Sequence, residues 1–192
     1  GFTRADVERG VEELLASRPD LAGIAEVGDR AALLQVLEQY YNGYRFSPDA
    51  AERVFNSDMV LYFLSELADG GRYPTQMLDV NARTDYRRFH RLWASSGPSA
   101  EERRGVLETI LREGFVWSEL IEQFGRSGPS STYQFVSLMY YTGMLTLSTE
   151  PRIGKEHRFE VPNRVIRELG WEHFAGLLKD LEGIDLHAHP MT

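Results

Sequence analysis

No cysteine occurs among the 192 residues. Disulfides, thiolate metal sites and cysteine nucleophiles are thereby excluded, and a chain of this kind suits a reducing, cytoplasmic compartment. No apolar run approaches the roughly 20 residues that a bilayer-spanning helix needs, and the first residues carry no signal-peptide pattern, so no membrane partner is expected. Cations are in deficit, with 21 Lys and Arg against 29 Asp and Glu, a formal net charge of -8. A general nucleic-acid surface needs the opposite balance. The common catalytic signatures are also missing: there is no G-x-x-x-x-G-K-[ST] loop, no G-x-G-x-x-G turn, no H-E-x-x-H and no G-x-S-x-G elbow. No catalytic residue is assigned to the chain.

What is present is ample material for a core, 42% hydrophobic and 11% aromatic, arranged mostly with helical spacing. Thr3 to Asp6 reads as a capping box that opens a helix over Arg4 to Ser17. Asp29 can cap a second helix that ends at Asn42-Gly43, because glycine enters the left-handed region without a Cβ clash. Two short extended pieces, 44–46 and 53–55, flank the turn Ser47-Pro48-Asp49 and predict a small hairpin. Asn56 or Ser57 then caps a third apolar helix that stops at Gly70-Gly71.

The remainder is similar in kind. A helix is predicted over 84–93, another from the Ser99-to-Glu102 capping box to about Gly114, and a shorter one over 118–124. Residues 125–131, rich in Gly, Ser and Pro, read as a linker. Beyond it, 132–141 is apolar nearly all round and predicts an enclosed helix ended by Gly143. Residues 144–147 and 158–161 suit a second hairpin, and Asn163 suits the cap of a further helix. The expected fold is mainly α, in the α+β class: a helical, lid-like bundle with a small β-hairpin over 1–125, a winged-helix-like helix-hairpin-helix unit over 131–182, and a tail over 183–192.

Candidate ligand-binding groups are sparse. His187 and His189 would supply only two imidazoles near a terminus, too few for a metal site, and His90, His157 and His173 stand alone. Arg83, Arg87, Arg88, His90 and Arg91 interleave with Tyr86, Phe89 and Trp93, which suits the wet face of an amphipathic helix better than a nucleic-acid contact. Basic residues of the second hairpin region (Arg152, Lys155, Arg158, Arg164, Arg167) are offset by Glu156, Glu160 and Glu168. Nucleic acid is therefore not the expected partner, whereas a protein partner on an exposed apolar patch is an open alternative.

The passage Tyr40-Tyr41-Asn42-Gly43-Tyr44-Arg45-Phe46 stands apart, since composition and periodicity do not explain it. Together with Gly1-Phe2-Thr3 before it and Val54-Phe55-Asn56 after it, this passage resembles the predicted AAA-type ATPase family whose members often carry a C-terminal PD-(D/E)xK nuclease-like domain. A second hallmark of that family, a "fvSLLYYLGYLT" segment followed by "iPN", is similar to the stretch from Phe135 to Thr146 and to Val161-Pro162-Asn163. Tyr41, Asn42, Phe46, Asn56, Gly143, Pro162 and Asn163 are the motif positions, and the resemblance covers residues 1–169. The family reads Tyr-Asn-Pro where this chain has Phe55-Asn56-Ser57, and its phosphate-binding and nuclease-like motifs lie outside the region of likeness.

The resemblance implies the lid and winged-helix portion of a longer ATPase, non-catalytic by itself. Its partners would be an N-terminal ATPase core, which brings ATP and magnesium, and a C-terminal nuclease-like domain. By the same analogy Gly43 would let backbone approach nucleotide, Tyr44 would stack on the base and Arg45 would meet phosphate. The competing expectation is that Tyr41, Tyr44 and Phe46 are packed aromatics wedging hairpin against helices, with Arg45 paired to a carboxylate. This second expectation carries more weight, because aromatics at a helix end usually pack.

Overall fold

The computed structural model describes residues 1–24, 27–80, 82–83, 99–124 and 130–172. The chain divides into two compact units, Gly1–Tyr86 with Pro162–Val165, and Arg87–Val161 with Ile166–Thr192. It is mainly helical with a small antiparallel sheet, as composition and spacing predict.

In the first unit three α-helices start where a side chain can take their orphan N–H groups. Thr3 opens α1 (Arg4–Ser17) with a reciprocal box: its hydroxyl accepts from Asp6 N–H at 3.3 Å while the Asp6 carboxylate accepts from Thr3 N–H at 2.9 Å. Asp29 caps α2 (Arg30–Tyr41), accepting from Ala31 N–H at 2.9 Å. Asn56 caps α3 (Ser57–Gly70), accepting from Met59 N–H at 3.1 Å. The apolar stripes of the three helices supply Val7, Val11, Leu33, Leu37, Tyr41, Met59, Val60, Phe63 and Leu67 to one core. Each such side chain contributes about 1.5–3 kcal/mol by leaving water. Two exposed ion pairs, Arg4 to Glu38 at 2.7 Å and Arg30 to Glu12 at 2.6 Å, join the start of each of α1 and α2 to the later turns of the other, so the two helices run antiparallel.

The predicted small hairpin exists in minimal form. Val54 pairs with Tyr44 on one side, and Phe55 pairs with Phe2 on the other. Successive residues of an extended strand point their N–H groups to opposite sides, so the run of residues 53–55 serves two neighbours at once.

Among its described residues, the second unit opens with α4 (Ala100–Glu113), whose box is formed by Ser99 and Glu102 and whose end is Gly114 at φ +81. The chain continues through β1 (Phe115–Glu119), α5 (Thr132–Tyr141), β2 (Thr146–Leu147) and β3 (Glu156–Glu160). The sheet order is β1-β3-β2, with Phe115 opposite Glu160, Glu119 opposite Glu156 and Leu147 opposite Phe159. A helix, a strand, a further helix and a two-stranded wing whose last strand lies between the others make a winged-helix-like arrangement. Phe159, fully buried, meets Tyr140 of α5 edge-on at 5.6 Å. A further helix, α6, spans residues 164–172 of the described chain.

Several sequence expectations are corrected. Residues 118–124 are not a helix: Ser118 is a strand residue, 1% exposed, because Phe115, Val116 and Trp117 commit the backbone to the β3 ladder. The division of the chain does not fall at 125–131, because β1 is hydrogen-bonded to β3 across that stretch and α4 packs on both β1 and α5. Helix α5 is not enclosed all round, since Tyr133 is 44% and Tyr141 49% exposed. The predicted helix over 84–93 with its arginines, His90 and His173, the linker core 125–129 and the tail with His187 and His189 lie outside the described residues.

Candidate functional site

The motif passage sits where α2 ends, and a helix end leaves carbonyl groups that need partners. Four successive carbonyls find them in other parts of the chain. Tyr41 C=O accepts from Asn56 N–H at 2.9 Å, and Asn42 C=O accepts from the Asn163 side-chain amide at 3.1 Å. Gly43 C=O accepts from the Arg53 guanidinium at 3.2 Å, and Tyr44 C=O accepts from Val54 N–H at 2.8 Å. The Asn42 side-chain oxygen meanwhile takes Gly43 N–H at 2.7 Å.

Gly43 has φ +108, where a side chain is strained, and a Cβ built on it would overlap the Pro162 carbonyl, coming within 2.8 Å of its carbon. The close approach that this glycine permits is therefore made by Pro162. Residues 40–43 and 162–164 meet in reverse order at three points: Gly43 against Pro162, Asn42 to Asn163, and the Tyr40 ring under the Arg164 guanidinium at 4.9 Å. Pro162 and Asn163 are both buried. The first motif passage and the Pro162-Asn163 end of the second hallmark form one junction within the first unit.

The surrounding aromatics pack. Tyr41 is fully buried, meets Phe63 edge-on at 5.9 Å and donates its hydroxyl to Met77 C=O at 2.8 Å. Burial, and then the neighbouring Tyr62 and Tyr40, push its phenol well above the ordinary value, so it stays protonated. Tyr44 is 2% exposed and stacks on Phe46 at 5.8 Å, while Phe46 itself is 59% exposed. Arg45 donates to the main-chain carbonyls of Ala50, at 2.9 Å, and of Pro48. These two acceptors belong to the loop that follows Arg45. Gly43 thus lies against Pro162, Tyr44 is buried, and Arg45 donates to carbonyls of the following loop.

The second hallmark has its own logic in the second unit. Ser137, fully buried on α5, accepts from Ile121 N–H at 2.9 Å and lies 2.8 Å from Tyr133 C=O. Its hydroxyl holds the chain beyond β1 against the helix. Gly143, at φ +76, closes α5 in a Schellman turn: Gly143 N–H donates to Tyr140 C=O at 3.0 Å and Met144 N–H to Met139 C=O at 2.8 Å.

Sequence reading named Phe2 and Ser137 only within the family-like stretches, and it gave Phe2, Arg53 and Ser137 no structural role of their own. Only the position of Phe2 beside the first cap gave a signal, since the value of Arg53 and Ser137 lies in partners remote along the chain. Among the described residues, no cluster of His, Asp or Glu could hold a metal ion, and no helix is long and apolar enough to cross a membrane. His157 is not a ligand in a cluster but a strand residue whose ring lies against Phe159 at 6.4 Å. No protein-family model, curated protein or solved structure matches the chain.

Proposed function

We propose that this chain is the lid and winged-helix portion of an AAA-type ATPase, a non-catalytic region that covers nucleotide and relays the ATPase state to a nuclease-like domain. One observation carries this reading: the first motif passage and the Pro162-Asn163 end of the second hallmark, 121 residues apart at Asn42 and Asn163, close on each other through complementary backbone shape and a hydrogen bond. A chance likeness in two separate places gives no reason for them to meet. In such a protein the ATPase core would bring ATP and magnesium, and the cytoplasm would be its compartment.

On this reading Gly43, Tyr44 and Arg45 are positioning residues. They fix the end of α2 and the loop beyond it, and so the shape of the surface that a core would offer to nucleotide. Winged-helix units that bind DNA need cations on the exposed face of the presented helix, but α5 has none. In the wing, Arg158 lies over the Phe115 ring at 4.0 Å and pairs with Glu150 at 3.2 Å. A nucleic-acid role is therefore not the reading adopted.

The test is to extend the reading frame upstream of Gly1 and assay ATP hydrolysis by the extended protein. A phosphate-binding loop of the G-x-x-x-x-G-K-[ST] form is expected there, together with turnover that falls about tenfold in folded Arg45→Ala, while ATP affinity changes little. An upstream frame without that loop, or unchanged turnover in the folded variant, would overturn the proposal.

A further inference from the structure

In a winged-helix-like unit the helix before the wing is the one presented outward, and here that helix is α5. Its sequence, Thr132–Tyr141, contains no charged residue at all, yet Tyr133 and Tyr141 are 44% and 49% exposed. Phe124, 37% exposed, stands edge-on to Tyr141 at 5.9 Å, and the buried Tyr140 also meets that ring edge-on at 5.2 Å. The segment that carries Phe124 is itself fixed on α5. Gln134 donates to Gln123 C=O at 3.3 Å, and Ile121 N–H donates to Ser137. Aromatic rings held in this way lose little freedom when a partner arrives.

The charge beside this patch is negative. Glu122 is exposed and makes no ion pair with any described residue. Glu122 stands two residues before Phe124, whose ring meets Tyr141 at 5.9 Å, and the Tyr141 phenol is pushed above its ordinary value by burial and then by the Glu122 charge. A flat aromatic face beside a carboxylate that pairs with no described residue is suited to a guanidinium, which stacks on the ring while its N–H groups meet the oxygens. An ammonium satisfies the charge but does not stack.

We propose that the Phe124, Tyr133, Tyr141 and Glu122 surface docks an extended, arginine-bearing peptide segment of a partner protein. Tyr133 and Tyr141 are eight residues apart, roughly 12 Å along the helix axis, and two residues three or four apart on an extended peptide are separated by about 10–14 Å. The segment therefore carries two arginines at that spacing. This inference concerns a partner outside the proposed ATPase parent and stands whether or not that parent reading holds.

The probe is a glycine-serine peptide with two arginines four residues apart, titrated into the whole chain and followed by amide and aromatic NMR shifts. Controls are the same peptide with two lysines and one with the arginines adjacent. Shifts confined to residues 119–124 and 132–142 are expected, with at least about fivefold weaker binding of the lysine peptide. Binding is expected to weaken about tenfold in Tyr141→Ala and also in Glu122→Gln, both surface changes that leave the core intact. Equal affinity for all three peptides, binding that survives both substitutions, or shifts that map elsewhere would overturn the proposal, the first two by showing only diffuse attraction to an acidic chain. A fold check by circular dichroism accompanies each variant, and Tyr133→Ser provides an independent second exposed substitution with the same expected loss.

Discussion

A glycine can be indispensable for its missing side chain or merely tolerated, and two glycines of this chain make opposite predictions. At Gly43 the backbone has φ +108 and a Cβ would collide with the Pro162 carbonyl, so relief requires main chain to move. Gly43→Ala is expected to cost about 3 kcal/mol of unfolding free energy, measured by urea denaturation. At Gly105, inside α4, a Cβ meets nothing within 4 Å. Gly105→Ala is expected to stabilise by about 0.5–1 kcal/mol in the same assay, because alanine loses less backbone freedom on entering a helix. Tyr41 adds a third test at this scale. Its hydroxyl satisfies Met77 C=O at 2.8 Å, so Tyr41→Phe is expected to cost about 1 kcal/mol while the ring packing survives.

At the scale of elements, the helix starts were legible because capping is local chemistry. Thr3 with Asp6, Asp29, Asn56, and Ser99 with Glu102 each act on N–H groups two or three residues away. Strand β1 was not legible, because Phe115 to Glu119 become a strand only by pairing with residues 156–160, some 40 positions on. Without that partner, 118–124 read as a short helix and 125–131 as a linker between units. The Ser99 to Glu102 box also gives a pH test. The Ser99 backbone N–H and then its hydroxyl hold the Glu102 carboxyl below its ordinary value of 4.5, so the folded state binds the proton less readily than the unfolded state. The stabilisation is therefore present above pH 4.5 and is lost as pH falls through the lower folded value. Thermal midpoints of wild type and Glu102→Gln are expected to converge as the pH drops through that range, since glutamine keeps the hydrogen bond without titrating.

For the whole molecule, the sequence showed that two stretches were unusual but not that they touch. Nothing local in Asn42-Gly43 names Pro162-Asn163 as its partner, because the contact depends on where the intervening chain leads. The positive φ at Gly43 could be foreseen from an Asn-Gly helix end, whereas the occupant of the space it leaves could not. Packing was the weightier of the two expectations for the passage, and the contacts of Gly43 and Tyr41 are with Pro162, Phe63 and Met77. The exposed charged pairs count for little at this scale, about 0–1 kcal/mol each, so the apolar cores and this junction dominate stability.

The most direct test is a double-mutant cycle between Gly43→Ala and Asn163→Ala, read as unfolding free energies in urea with circular dichroism confirming a folded baseline. If residues 42–43 and 162–163 form one contact, the first substitution already separates the surfaces, and the double variant will cost at least about 1 kcal/mol less than the sum of the two singles. Costs that add to within about 0.5 kcal/mol would contradict the junction and, with it, the reading of the two motif stretches as one unit.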